Sequence, residues 1–189
     1  MKGGARLGPV FTRTRIWKYK VLSTCRRVNG TPVILQPVLF LGHGQIIIGR
    51  QVEFGWRTSV GFHSGYCHVE ATPPHAVIEF GDGAQVNNNA YIKSEGAGIK
   101  IGAKALIGSH VEILDSDFHE LHPDRRRGGS PRMAPVELGE NVFIGDGVKI
   151  LKGVTIGANS VIGAGSVVTG DIPAGVIAAG NPARVIREL

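Results

Sequence analysis

Cysteine is all but missing from this chain of 189 residues: Cys25 and Cys67 stand alone, with no CxxC pair and no tight metal-ligand spacing. Neither a disulfide framework nor a zinc site is indicated. Aromatic residues make up only 6% of the sequence, and no apolar run approaches the roughly 18 residues that a membrane span needs. The opening stretch MKGGARLGPVFTRTRIWKYK lacks the apolar centre of a signal peptide, so a cytoplasmic location is expected. Acidic residues are outnumbered by basic ones, giving a formal charge of +6. The basic residues gather in an N-terminal arm and one later loop, where a phosphate-bearing small ligand explains them as well as DNA or RNA would, and no nucleic-acid partner is expected.

What the chain does have is glycine, 28 residues without a collagen-like triplet, and a fixed period. From Leu138 to Pro173 it reads LGENVF IGDGVK ILKGVT IGANSV IGAGSV VTGDIP, with Leu138, Ile144, Ile150, Ile156, Ile162 and Val168 opening successive blocks of six. Neither the ~3.6-residue period of a helix nor the two-residue period of a strand gives strict sixes. A short fixed period marks a solenoid, and hexapeptide units mark a β-helix in which three short strands make a triangular coil of about 18 residues. The aliphatic residue points into the prism, and the small residue after it lets the chain bend at the corner. Upstream, Phe80, Val86 and Ile92 open one set of blocks, and Ile101, Ile107 and Ile113 another. A small bulge is expected between Ile92 and Ile101, and a larger insertion between Ile113 and Leu138.

The expected organisation is therefore an all-β solenoid with an arm over residues 1–37, coils over 38–175 carrying an inserted loop at 119–136, and a tail at 176–189. Within the arm, TRTRIWKYKVLSTCRRV is open to an amphipathic helix or to strands. Its Arg13, Arg15, Lys18, Lys20, Arg26 and Arg27 beside Trp17 and Tyr19 suit either a solvated helix face or peripheral contact with an anionic membrane. Residues 60–76, with Cys67, His68 and Pro73-Pro74, break register and are expected to include a loop or irregular coil.

Two further breaks attract chemistry, because local rules tend to fail where function overrides them. His119 stands where an aliphatic residue is due, with Asp115 and Asp117 before it. A histidine accepts a proton near neutral pH and a carboxylate can orient its ring; Asp117 is the first choice, since alternate residues of an extended chain return to one side. The plainer reading is that His119 merely begins a polar loop. Asn87, Asn88 and Asn89 stand where small corner residues are usual, and suit hydrogen bonding between coils or contact with a ligand.

The segment from Phe80 to Leu189 resembles the hexapeptide-repeat acyltransferases, and from Leu138 onward, above all in VIGAGSVVTGDIPAGVIAAGNPARVIREL, the galactoside and maltose acetyltransferase branch. DSDFH with its basic loop resembles relatives that acetylate sugars of bacterial surface polysaccharides. The resemblance implies a left-handed parallel β-helix, a homotrimer with sites between subunits, and acetyl-CoA as acyl donor with no metal. It puts the catalytic histidine at His119, acceptor binding at Asn87 with Asn89 as neighbour, and the N–H that faces the thioester carbonyl at Asp146. Phe143 falls where relatives often carry Trp. Coenzyme A contacts fall on Gly145, Ala164, Thr169, Arg184 and Arg187. Gly170 departs from a Lys of the galactoside branch, leaving a phosphate contact absent or supplied elsewhere, with Arg125, Arg126, Arg127 and Arg132 as candidates.

The expected reaction is O-acetylation of a sugar hydroxyl in polysaccharide or lipopolysaccharide synthesis, by direct transfer with a histidine general base. The alternatives are N-acetylation of a nucleotide-linked amino sugar, acetylation of an antibiotic, a catalytically silent trimeric scaffold, or a metal site like that of γ-type carbonic anhydrases. For the last, the seven histidines lack the expected spacing.

Overall fold

The computed structural model describes residues 7–189. Helix α1, Leu7–Leu22, leads into a left-handed parallel β-helix whose coils visit three sheets in turn. In one coil Val77–Phe80 lies in sheet A, Gln85–Val86 in sheet B and Tyr91–Ser94 in sheet C before the chain returns to sheet A at Ile99–Ile101. Sheets A and C hold six strands each and sheet B eight.

The sixes become columns. In sheet A, Ile48, Phe80, Ile101, Leu138 and Ile156 stack in register; in sheet B, Phe54, Val86, Ile107, Ile144 and Ile162; in sheet C, Phe40, Val69, Ile92, Ile113, Ile150 and Val168. All are buried, so the core is three apolar ladders meeting along the prism axis, aliphatic except for Phe40, Phe54 and Phe80. The block's glycine follows from close stacking. A Cβ on Gly81 would lie 2.5 Å from the Ala103 nitrogen of the next coil.

Three boundaries differ from the sequence reading. The coils begin at Val28–Asn29 and Val33–Ile34, inside the segment expected to be arm, because these short strands already pair in parallel with Gln45–Ile48 and Glu53–Phe54. Cys67–Ala71, inside the span expected to include a loop or irregular coil, is a regular sheet C strand that buries Cys67, Val69 and Ala71. The tail is also part of the solenoid. Val176–Gly180 extends sheet B in parallel, and Ala183–Glu188 turns back antiparallel to cap it.

Helix α1 packs on the Val38–Gly42 strand. Arg15 donates to the carbonyls of Phe62 and Gly65, and Arg27 to that of Pro74, so part of the arm's basic charge is spent holding the fold. Trp17, Val10 and Val21 are exposed. Among the described residues no helix is long and apolar enough to cross a membrane.

Candidate active site

The inserted loop leaves the coil between sheets C and A and returns at Val136–Leu138. Its stem is closed by a bridge between Ser116 and Met133 and by the Asp117 N–H donating to the Arg132 carbonyl at 3.0 Å. The buried Asp115 carboxylate anchors the stem, accepting from Ser94 Oγ at 2.6 Å, the Glu95 N–H at 2.7 Å and the Gly98 N–H at 2.8 Å.

His119 is exposed on this loop, its Nδ1 lying 3.2 Å from the Arg126 carbonyl. A carbonyl only accepts, so Nδ1 carries the hydrogen and Nε2 keeps its lone pair free to take a proton. The expected Asp117 partnership is not formed. Asp117 Oδ1 instead pairs with Lys152 Nζ at 2.6 Å, while its buried Oδ2 has no partner among the described residues. The reason is Phe118, whose φ of 60° breaks the extended chain, so residues 117 and 119 do not return to one side. The Phe118 ring sits 5.4 Å from Lys93 Nζ. In the basic loop, Arg125 pairs with Glu120 at 2.6 Å and Arg126 donates to the Leu121 carbonyl at 3.2 Å, so two of the candidate phosphate contacts already have partners within the loop.

The second feature is an open groove of about 300 Å³ on the outer face of sheet B. Trp56, Ser59, Asn87, Leu106, Phe143 and Asp146, from four successive coils, line it. The three asparagines divide their work here. Asn87 reaches the groove, its Nδ2 donating to Ser59 Oγ at 2.9 Å. Asn88 is fully buried and bonds the backbone of residues 56–60. Asn89 Oδ1 accepts from Gln36 at 3.2 Å, and its φ of 62° makes a coil corner; the side chain lies against Gly61 and Gly65 rather than in the groove. Its Nδ2 lies 3.1 Å from His110 Nε2, so in this chain Asn89 stands apart from the groove that Asn87 enters.

At the corner between sheets B and C each N–H as far as Ser109 meets a side-chain oxygen, that of Asn88 from its neighbour Asn87 at 2.7 Å. The Trp56 N–H donates to Asn88 Oδ1 at 2.9 Å, and the Ser109 N–H to Asp146 Oδ1 at 2.6 Å, each capped by a side chain of the next coil. Above Asp146 that position is Ala164, which has no oxygen to offer. Among the described residues the Asp146 N–H has no acceptor, and Ala164 is exposed beside it. Gly145 lies where two coils stack closely. A Cβ there would meet the Ala164 nitrogen at 2.6 Å, so coil stacking already requires glycine. Thr169 is exposed, and Arg184 and Arg187 lie exposed on the capping strand Ala183–Glu188, each donating only to the backbone carbonyl of an adjacent residue.

Sheet C, between these two features, carries a partly buried charge network. His68 Nε2 lies 2.8 Å from Glu70, and Lys93 bridges Glu70 at 3.3 Å and Glu95 at 3.1 Å. Burial opposes ionisation of Glu70, but His68, Lys93 and Thr72 together hold its carboxyl below the ordinary value. Burial pushes the Cys67 thiol up to about 12, which makes it inert as a nucleophile. Among the described residues no three His, Cys, Asp or Glu side chains are grouped to hold a metal ion. Sequence reasoning missed Trp56, although it lies in the in-register block FGWRTS, two residues after Phe54 and level with Asn88 of the next coil.

Residues 135–170 match the model for bacterial transferase hexapeptide (six repeats). The galactoside O-acetyltransferase of Escherichia coli K12 is 41% identical over 121 residues, covering 61% of this chain and 59% of that protein. The chain thus spans less than two thirds of that relative's length. A galactoside acetyltransferase structure in complex with coenzyme A aligns with all of this chain and 84% of its own, at TM-score 0.58 and 28% identity. A maltose O-acetyltransferase from Clostridium difficile 630 covers 97% of this chain and 83% of its own, at TM-score 0.54 and 26% identity. In the register of its coils and in these likenesses the chain is similar to hexapeptide-repeat acetyltransferases, the galactoside and maltose O-acetyltransferases among them.

Proposed function

We propose that this protein transfers an acetyl group from acetyl-CoA to a sugar hydroxyl of a surface glycan. The observation that carries the reading is the Asp146 N–H, left without an acceptor by Ala164, at the edge of the groove that also holds Asn87 and Phe143. An unoccupied N–H aimed beside a groove suits an oxyanion. The exposed Ala164 and Thr169 and the arginines of the capping strand extend from that point along the corner, a run that fits a pantetheine arm ending in phosphates.

In the reaction, His119 Nε2 takes the hydroxyl proton as the oxygen attacks the thioester carbonyl. The C–S bond then breaks, and His119 returns the proton to the thiolate. In a single chain His119 leaves from the corner between sheets C and A, whereas the groove lies on sheet B, so the whole of sheet C separates them. A second copy supplies the histidine, and we assign the working form as a homotrimer with closed threefold symmetry. The two buried free thiols, Cys25 and Cys67, suit a reducing compartment, and the reaction belongs in the cytoplasm.

The test is calorimetric titration with acetyl-CoA. Saturable binding near one per chain, weakened about tenfold or more in Arg184→Ala, is the expected result. No binding to the wild-type protein would overturn the transferase reading.

A further inference from the structure

Trp56 is the largest side chain of the groove and none of the expected roles uses it. It is 48% exposed although both polar groups of its backbone are hydrogen-bonded. Asn88 grips the Trp56 N–H and carbonyl, each at 2.9 Å, and also the carbonyls of Ser59 and Val60, each at 3.1 Å. Next to it, Gln36 holds the Gly61 carbonyl at 2.9 Å. The turn that follows the sheet B strand is thereby fixed in place, with an indole turned outward.

Its height on the solenoid says which ligand it faces. Trp56 lies three coils from Asp146, on the side away from Ala164, Thr169 and the capping strand. At about 4.8 Å per strand spacing that is about 14 Å from the corner where the acetyl group would sit, in the direction opposite to coenzyme A. Asn87 is one coil away. An indole beside an amide, a hydroxyl and Gln85 offers an apolar plane edged with hydrogen-bonding groups, which is the complement of a pyranose ring. Trp56 also lines a second hollow of about 330 Å³, with Leu35, Glu53, Arg57 and Thr58. It therefore stands between two adjoining spaces.

We infer that Trp56 is the sugar platform of the acceptor site and separates two sugar subsites, so that the acceptor is a glycan of at least two residues and not a free monosaccharide. This rests on the transferase reading above, and the experiment separates the two. Acetyl transfer from labelled acetyl-CoA is measured on an array of mono- to tetrasaccharides with the wild type, Trp56→Ala and Trp56→Phe, beside acetyl-CoA titration of each protein.

The expected result is transfer to oligosaccharides at least tenfold above the matching monosaccharides. In Trp56→Ala the KM for the glycan rises about ten- to hundredfold, with most of it restored in Trp56→Phe and acetyl-CoA binding unchanged in both. Equal transfer to monosaccharides, an unchanged KM in Trp56→Ala, or normal acetyl-CoA binding with no glycan acetylated would each overturn the platform. Loss of acetyl-CoA binding in the wild type would instead remove the reading on which it rests.

Discussion

Asn88 holds both polar groups of the Trp56 backbone: its Oδ1 accepts the Trp56 N–H and its Nδ2 donates to the Trp56 carbonyl, each at 2.9 Å. The amide is fully buried and has no water to fall back on. Asn88→Ala strands one N–H and three carbonyls, and a stability loss of about 2–4 kcal/mol is expected in chemical denaturation. Asn88→Asp replaces the donor by an oxygen facing three carbonyls and should cost at least as much. A loss below about 0.5 kcal/mol in both would mean that the 56–60 stretch is held by something else.

His119→Ala should lower turnover by about 10² to 10⁴ while leaving acetyl-CoA affinity intact, as removal of a general base does. Asp117→Asn should behave differently. Its carboxylate faces Lys152 and not the imidazole, so the mutant is expected to keep the shape of the wild-type pH–rate profile, with a modest loss from a loosened loop stem. A profile displaced by a full pH unit would restore the Asp117–His119 pairing that the geometry denies.

How much of this was legible beforehand depends on whether the signal was local. The aliphatic sixes were, and Ile34, in the segment assigned to the arm, already stands in register with Phe54; Thr31-Pro32 and two-residue strands hid it. The Asp117–His119 pairing was misread because it assumed extended backbone through Phe118, and a bulky residue at positive φ has no sequence signature. Asn87, Asn88 and Asn89 are chemically identical, and only the coil below decides that one faces a groove, one is swallowed and one makes a corner. Trp56 was invisible for the same reason, since a residue 32 positions away orients it.

Glu70 makes acid stability a second test. Its carboxyl is held below its ordinary value of 4.5, so the ionised form is favoured in the folded state. That stabilisation is fully present above the ordinary value and is lost as pH falls through the lowered one. Glu70→Gln should therefore be less stable than wild type by about 1–2 kcal/mol at pH 7, with the gap closing as the pH is taken below 4.5. Melting curves of both proteins across that window check it. A gap that stays constant would assign the loss to packing and not to the charge network.

The separation of His119 from the groove leads to a prediction that no single-chain site can share. His119→Ala removes the base and Asn87→Ala alters the groove, and each homotrimer should be nearly inactive. Unfolded together at equal concentration and refolded, the two chains assort at random in a closed ring. A working site then needs a His119-bearing copy beside an Asn87-bearing one, which chance supplies at about one half times one half. Activity of about a quarter of wild type is expected from two inactive parents. If both side chains came from one subunit, every site in the mixture would carry one of the two defects, and activity would stay at the level of the parents.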